Sequence, residues 1–111
     1  MITELEQIQL TIKQAQTKVD LADSLDALTK NRHFKKVFTN CYFTDYALSL
    51  VKNRANISFQ DEKVQNDMNM QLSAVGCVDQ FMKRVKSEGI AAKNSIAVAR
   101  EELSLAEQEE G

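Results

Sequence analysis

Apolar residues recur at spacings of three and four along the first part of the chain: Leu5, Ile8, Ile12, Ala15, Val19 and Ala22. This heptad seam predicts one helix from Thr3 to about Lys30. Thr3 is placed to cap it, with Glu6 three residues on as the reciprocal half of a capping box. Leu25 and Leu28 continue an apolar stripe in a shifted register. So narrow a stripe cannot bury itself, and it demands a partner helix in this chain or in another copy. Thr29 to Asn31 forms the first break, and Asn31 is a suitable cap for a helix beginning at Arg32. Phe34, Val37, Phe38, Cys41 and Tyr42 then share one face. Tyr46, Ala47, Leu50 and Val51 extend a helical face to about Asn53. An interruption near Thr39–Asn40, or a restart near Thr44–Asp45, leaves two forms open, one kinked helix or two short ones.

Asn53 to Phe59 is the clearest connection, because asparagine and serine favour local backbone hydrogen bonds. Ser58 with Asp61 reads as a cap and an acidic first turn. The next helix runs from about Gln60 to Ser87, with Val64, Met68, Leu72, Val75, Val78, Met82 and Val85 as its buried face and Met70 and Phe81 beside it. Gly76, costly inside a helix by about 1 kcal/mol, suggests a close helix crossing. A weak break at Ser87–Glu88–Gly89 precedes a last seam of Ala92, Ile96, Ala99, Leu103 and Ala106. The expected fold is therefore all-α: a helical bundle or hairpin of about four helices with heptad-patterned N- and C-terminal helices. A single domain over 1–111 divides into an N-terminal heptad helix (1–30), an aromatic-rich central pair (31–87) and a C-terminal heptad helix (88–111).

Composition supports this. The chain has no proline and three glycines, too few turn signals for strands. Five of its seven aromatics, Phe34, Phe38, Tyr42, Phe43 and Tyr46, fall between Arg32 and Val51, so that segment is expected to build the core. Cys41 and Cys77 offer no paired framework, which points to reduced thiols in a cytosolic setting, although two helical cysteines could meet. The acidic start of the chain is unlike a signal peptide, and no apolar run reaches the ~18–20 residues of a membrane span.

Charge is segregated. Residues 1–29 carry five acids against two bases, and residues 87–111 six against two. Residues 30–54 hold Lys30, Arg32, Lys35, Lys36, Lys52 and Arg54 against Asp45 alone. These six bases are candidates for phosphate or an acidic partner; neutralising the acidic arms is the plainer use. Lys83, Arg84 and Lys86 fit a helix C-terminus, where cations complement the dipole. His33 is expected in an exposed first turn. It has no chelating partner spacing and no nucleophile motif beside it, so no catalytic residue, metal ligand or cofactor is assigned, and the chain is read as a non-enzyme. The aromatic series could stack bases, but spacing by four more often marks a core.

The centre of the chain, Asn31 to Lys86, resembles a group of small all-helical proteins of tailed bacteriophages. The resemblance rests on His33-Phe34-Lys35-Lys36-Val37, Tyr42-Phe43, Ala47, Leu50-Val51, Gln60 to Val64 and Ala74-Val75-Gly76. The chain departs from the group's pattern at Arg32, Cys41 and Tyr46. The resemblance implies phage origin and a helical accessory role, and carries no activity. The first expectation is thus a non-enzymatic interaction protein, a minor virion or assembly component acting in the host cytoplasm or in the virion. Leu5, Ile8, Ile12, Val19, Ile96 and Leu103 are its candidate partner contacts, with a protein partner and homo-oligomerisation expected and no membrane. An infection-stage regulator or inhibitor of a host enzyme is the alternative. Nucleic-acid binding through the six central bases is the third.

Overall fold

A computed structural model describes residues 3–110 of the chain; Met1, Ile2 and Gly111, the ends of the expected 1–111 domain, lie outside the described residues. The fold is all-helical, with no strand among those residues. Helix α1 spans Glu4–Lys30 and α2 spans Arg32–Phe34. A π-helical segment follows over Lys35–Tyr46 and leads into α3, Ala47–Ala55. A single 3₁₀ turn, Ile57–Phe59, precedes α4, Glu62–Glu110. The expected break at Ser87–Gly89 does not exist. The third and fourth expected helices are one helix of 49 residues, so the described residues hold three long helical stretches where a bundle or hairpin of about four helices was expected. The chain divides into two compact units, 1–26 with 84–111, and 27–83.

In the first unit α1 and α4 pair through their seams. The Thr3 hydroxyl oxygen accepts from Glu6 N–H at 3.1 Å, so the expected cap is in place. Ala15, Val19, Ala92 and Ile96 form a buried cluster with Ile12 packed on it. Ala22 lies against Gly89, and since Val19 and Ala15 meet Ala92 and Ile96, the two helices run antiparallel. Ile8 and Ala99 are buried at the next seam positions. The seam of α4 has one register throughout: Met68, Val75, Met82, Gly89, Ile96 and Leu103 recur every seventh residue, and all are buried or half-buried. Gly89 is therefore a seam residue and not a stop. A Cβ built on it would fall 2.3 Å from the Ala22 Cβ and 3.6 Å from the Lys18 carbonyl oxygen. Its missing side chain is what lets the helices approach. Gly76, the glycine expected at a crossing, has nothing within 4 Å of such an added Cβ.

The second unit is built on a helical run and the first part of α4. The Asn31 side-chain oxygen accepts from His33 N–H at 2.9 Å and Phe34 N–H at 3.1 Å, as its position before Arg32 predicts. The expected kink is replaced by a change of winding, in which the chain stays helical and its pitch loosens to i→i+5. The Thr44 hydroxyl reaches back five residues to the Thr39 carbonyl at 2.8 Å. At the far end Asn56 accepts from Ser58 N–H at 2.9 Å. Ser58 is thus inside the 3₁₀ turn and does not cap α4. Gln60 donates to the carbonyls of Asn56 (2.7 Å) and Arg54 (3.0 Å), and Gln65 to those of Phe59 (2.6 Å) and Arg54 (3.1 Å). Both glutamine amides thereby bond the Arg54 carbonyl in the last turn of α3, and each also holds a carbonyl of the 3₁₀ connection, that of Asn56 or Phe59. With the Tyr46 hydroxyl hydrogen-bonded to the Gln71 side chain, residues 46–54 run antiparallel to 65–71.

The aromatic segment does not form the core. No residue of Lys35–Tyr46 is buried. The buried side chains of this unit are Leu50, Met68 and Val75. Of the face expected on α4, Met68, Val75 and Val85 are buried, Leu72 and Met82 are half-buried, and Val64 and Val78 are exposed.

Gly89→Ala is expected to destabilise the protein by about 1–2 kcal/mol, because the strain of an overpacked seam outweighs the roughly 1 kcal/mol gained in helix propensity. Gly76→Ala, in open space, is expected to stabilise by about 1 kcal/mol. Urea unfolding followed by circular dichroism measures both. A Gly89→Ala midpoint raised as far as that of Gly76→Ala would contradict the close approach.

Candidate interaction surface

The sequence-predicted partner residues are largely occupied within the chain. Ile8, Val19 and Ile96 are buried, and Ile12 packs against the cluster. Leu5 and Leu103 are half-buried at the ends of the same seam. The physical reason is plain: each seam needed a partner helix, and α1 and α4 supply one another. These six positions therefore offer little free apolar area to a second protein.

The apolar surface lies elsewhere. In the first unit Ile90, Val98 and Leu105 are each more than half exposed. In the second unit so are Met70 (71%) and Phe81 (53%), with Val37 and Val51 similarly open on the helical run. No described side chain is fully buried, and no polar or charged side chain is buried at all. A two-helix layer has only one inner face, so residues off that face remain in water. The sequence held a signal for this: Met70 and Phe81 flank the seam of α4 rather than lying on it.

The five central aromatics form a chain of ring contacts along the π segment. Phe34 stacks on Phe38 at 5.0 Å between centroids and Tyr42 on Tyr46 at 5.9 Å. Phe38 meets Tyr42 edge-on at 5.8 Å, and Tyr42 meets Phe43 edge-on at 5.1 Å. Each such pair contributes about 0.5–1.5 kcal/mol beyond burial. Each stacked pair occupies one face of each of its two rings.

The six candidate bases are all exposed. Lys30, Arg32, Lys35 and Lys36 cluster where the helical run begins, while Lys52 and Arg54 stand in the last turn of α3. The structure thus separates them into two groups, and the second complements a helix C-terminus. Eight bases against five acids make the second unit positive, whereas eleven acids against six bases make the first negative. Lys83 and Arg84 do not end a helix as expected; they stand mid-way along α4, with Lys83 paired to Asp79 at 2.8 Å on the surface. Such a pair is worth about 0.3–0.5 kcal/mol.

His33 is exposed in the first turn of the run, and Cys41 and Cys77 are exposed free thiols. Among the described residues no group of three or more His, Cys, Asp or Glu side chains could hold a metal ion. No helix among the described residues is long and apolar enough to cross a membrane. Among the described residues, shallow depressions along α4 include one of about 490 Å³ bordered by Asp61, Glu62, Lys63, Asn66, Asp67 and Met70, and one of about 370 Å³ bordered by Thr11, Asn94, Ser95, Val98, Ala99 and Glu102. Both are open surface features without converging chemistry. No family model matches the chain, and no curated protein or solved structure matches it.

Proposed function

We propose that this chain is a non-enzymatic bacteriophage protein that works by helix–helix contact, as a minor virion or assembly component. The observation that carries this reading is the apolar side chains left on the outer faces of paired helices, Met70, Phe81, Val98 and Leu105 among them. Rows of large apolar residues in water favour association with other helices. The phage assignment rests on the sequence resemblance of the central segment. The docking residues move accordingly, from the seam positions Leu5, Ile8, Ile12, Val19, Ile96 and Leu103 to these outer faces. Quantitative mass spectrometry of washed, purified virions tests the reading, and recovery of the chain at a fixed copy number per particle is the expected result. Absence from virions, together with stoichiometric co-purification of a host enzyme, would replace it with the regulator reading.

One observation favours a second reading, phosphate or nucleic-acid contact: all six central bases are exposed, in the unit with net positive charge. On a single strand, backbone neutralisation by at most six cations predicts a log–log salt slope no steeper than about −4. Fluorescence anisotropy with a labelled single strand at low salt measures it, and no binding there would dispose of the idea.

A further inference from the structure

We infer that the first unit receives a basic amphipathic helix of a partner protein, seated in the furrow between α1 and α4 on the Val98 side. The inference rests on the chain being a helix–helix interaction protein, and it names the chemistry of the partner and the face that takes it.

The furrow lies within the first unit, and its walls are read from the two helices. On α4, Ala91, Val98 and Leu105 recur every seventh residue, with Ser95 and Glu102 between them. On α1, Thr11, Lys18 and Leu21 share one side, and all these residues are exposed. The depression of about 370 Å³ that Thr11, Ser95, Val98 and Glu102 border shows that the two rows meet on the same side of the seam. Because Ala22 lies against Gly89, Leu21 comes level with Ala91. Val98 and Leu105 are each 56% exposed and Leu21 53%. At 1.5 Å per residue the row from Ala91 to Leu105 is about 21 Å long, room for about four turns of a second helix. An open furrow with apolar side chains at heptad spacing is the form that takes an amphipathic helix.

Charge decides which helix it takes. Relative to the inward residues Gly89 and Ile96, Lys93 and Arg100 stand four positions on, and Ser95 and Glu102 six. At about 100° per residue these offsets fall on opposite sides of the seam. The far flank balances, with Lys13, Lys86, Lys93 and Arg100 against Glu6, Asp20, Asp23 and Glu107. The Val98 flank does not: Glu4, Glu88, Glu102 and Glu109 stand there against Lys18 and Arg84. A second copy docked by the same face, turned about Ser95, would set Glu88 against Glu102 of the other copy at both ends. A nucleic-acid backbone or an anionic lipid surface meets the same repulsion. A helix with lysine or arginine beside its apolar row instead covers Leu21, Val98 and Leu105 and meets Glu88 and Glu102, two heptads apart.

The test uses the full chain and a defined probe. The probe is a fluorescein-labelled three-heptad peptide with leucine at its two seam positions and lysine beside them; a twin carries glutamate in place of lysine. The chain is expected to bind the lysine peptide and not the twin, with amide shifts in its NMR spectrum gathered around Thr11, Leu21, Val98 and Leu105. Val98→Asp and Glu102→Lys are each expected to weaken binding about tenfold, while Asp20→Lys, the same change of charge on the far flank, leaves it within about twofold. All three positions are exposed, so circular dichroism and the unfolding midpoint stay in place. No binding up to millimolar peptide overturns the inference, as does equal weakening by Glu102→Lys and Asp20→Lys, the mark of attraction to net charge alone. A doubled mass in sedimentation equilibrium that Val98→Asp abolishes gives the furrow to a second copy and overturns it too. Each of these results leaves the copy number in virions as a separate measure of the helix–helix reading.

Discussion

The close approach of α1 to α4 at Ala22 and Gly89 is the constraint on which the fold depends. Two helices can share a seam only if the side chains between them are short enough at the tightest point. Here that point is a glycine facing an alanine, with Ala15, Ala92 and Ala99 following along the same seam. The larger members, Ile8, Val19 and Ile96, supply most of the burial, about 1.5–3 kcal/mol each for the valine and isoleucine side chains. The same close packing fixes the rotation of α4 about its own axis. With Gly89 and Ile96 turned to α1, Ile90, Val98 and Leu105 of the same stretch are left exposed.

A seam made of small residues also sets a limit. It holds two helices together without enclosing anything, which is why no described side chain is fully buried. The aromatic segment answers the same limit in a different way. Its rings lie along one side of a loosened helix and pack on each other in sequence, so much of their contact area comes from within the segment. Such a segment stiffens the run that Asn31 begins and that Gln60 and Gln65 secure at the far end. It is a local solution, and it leaves apolar side chains such as Val37 and Val51 exposed.

The sequence made a good part of this legible. Thr3 and Asn31 announced their caps because capping needs only a short polar side chain at a fixed offset from the helix start. The two seams were visible as periodic rows, and their need for partner helices was met, though within the chain. Three features were hidden. Gly89 read as a break because helix propensity penalises glycine, while its register, seven residues from Met82 and from Ile96, made it part of the seam. Phe34 to Tyr46 read as core because aromatic residues spaced by four share a face; which neighbour covers a face is a tertiary matter that spacing does not encode. The candidate surface was least legible of all, since residues such as Met70 and Phe81 become informative only when the buried side of α4 is known.

Native-state hydrogen exchange tests the central claim most directly. If the seam of α1 and α4 is the stabilising element, amides around Ala15 to Ala22 and Gly89 to Ala99 will be the slowest to exchange and will share one opening free energy. Those of Lys35–Tyr46 will exchange faster, because its burial is local and its hydrogen bonds open without breaking the seam. Slowest exchange in the aromatic segment, with early exchange around Gly89, would contradict the account and return the core to the rings.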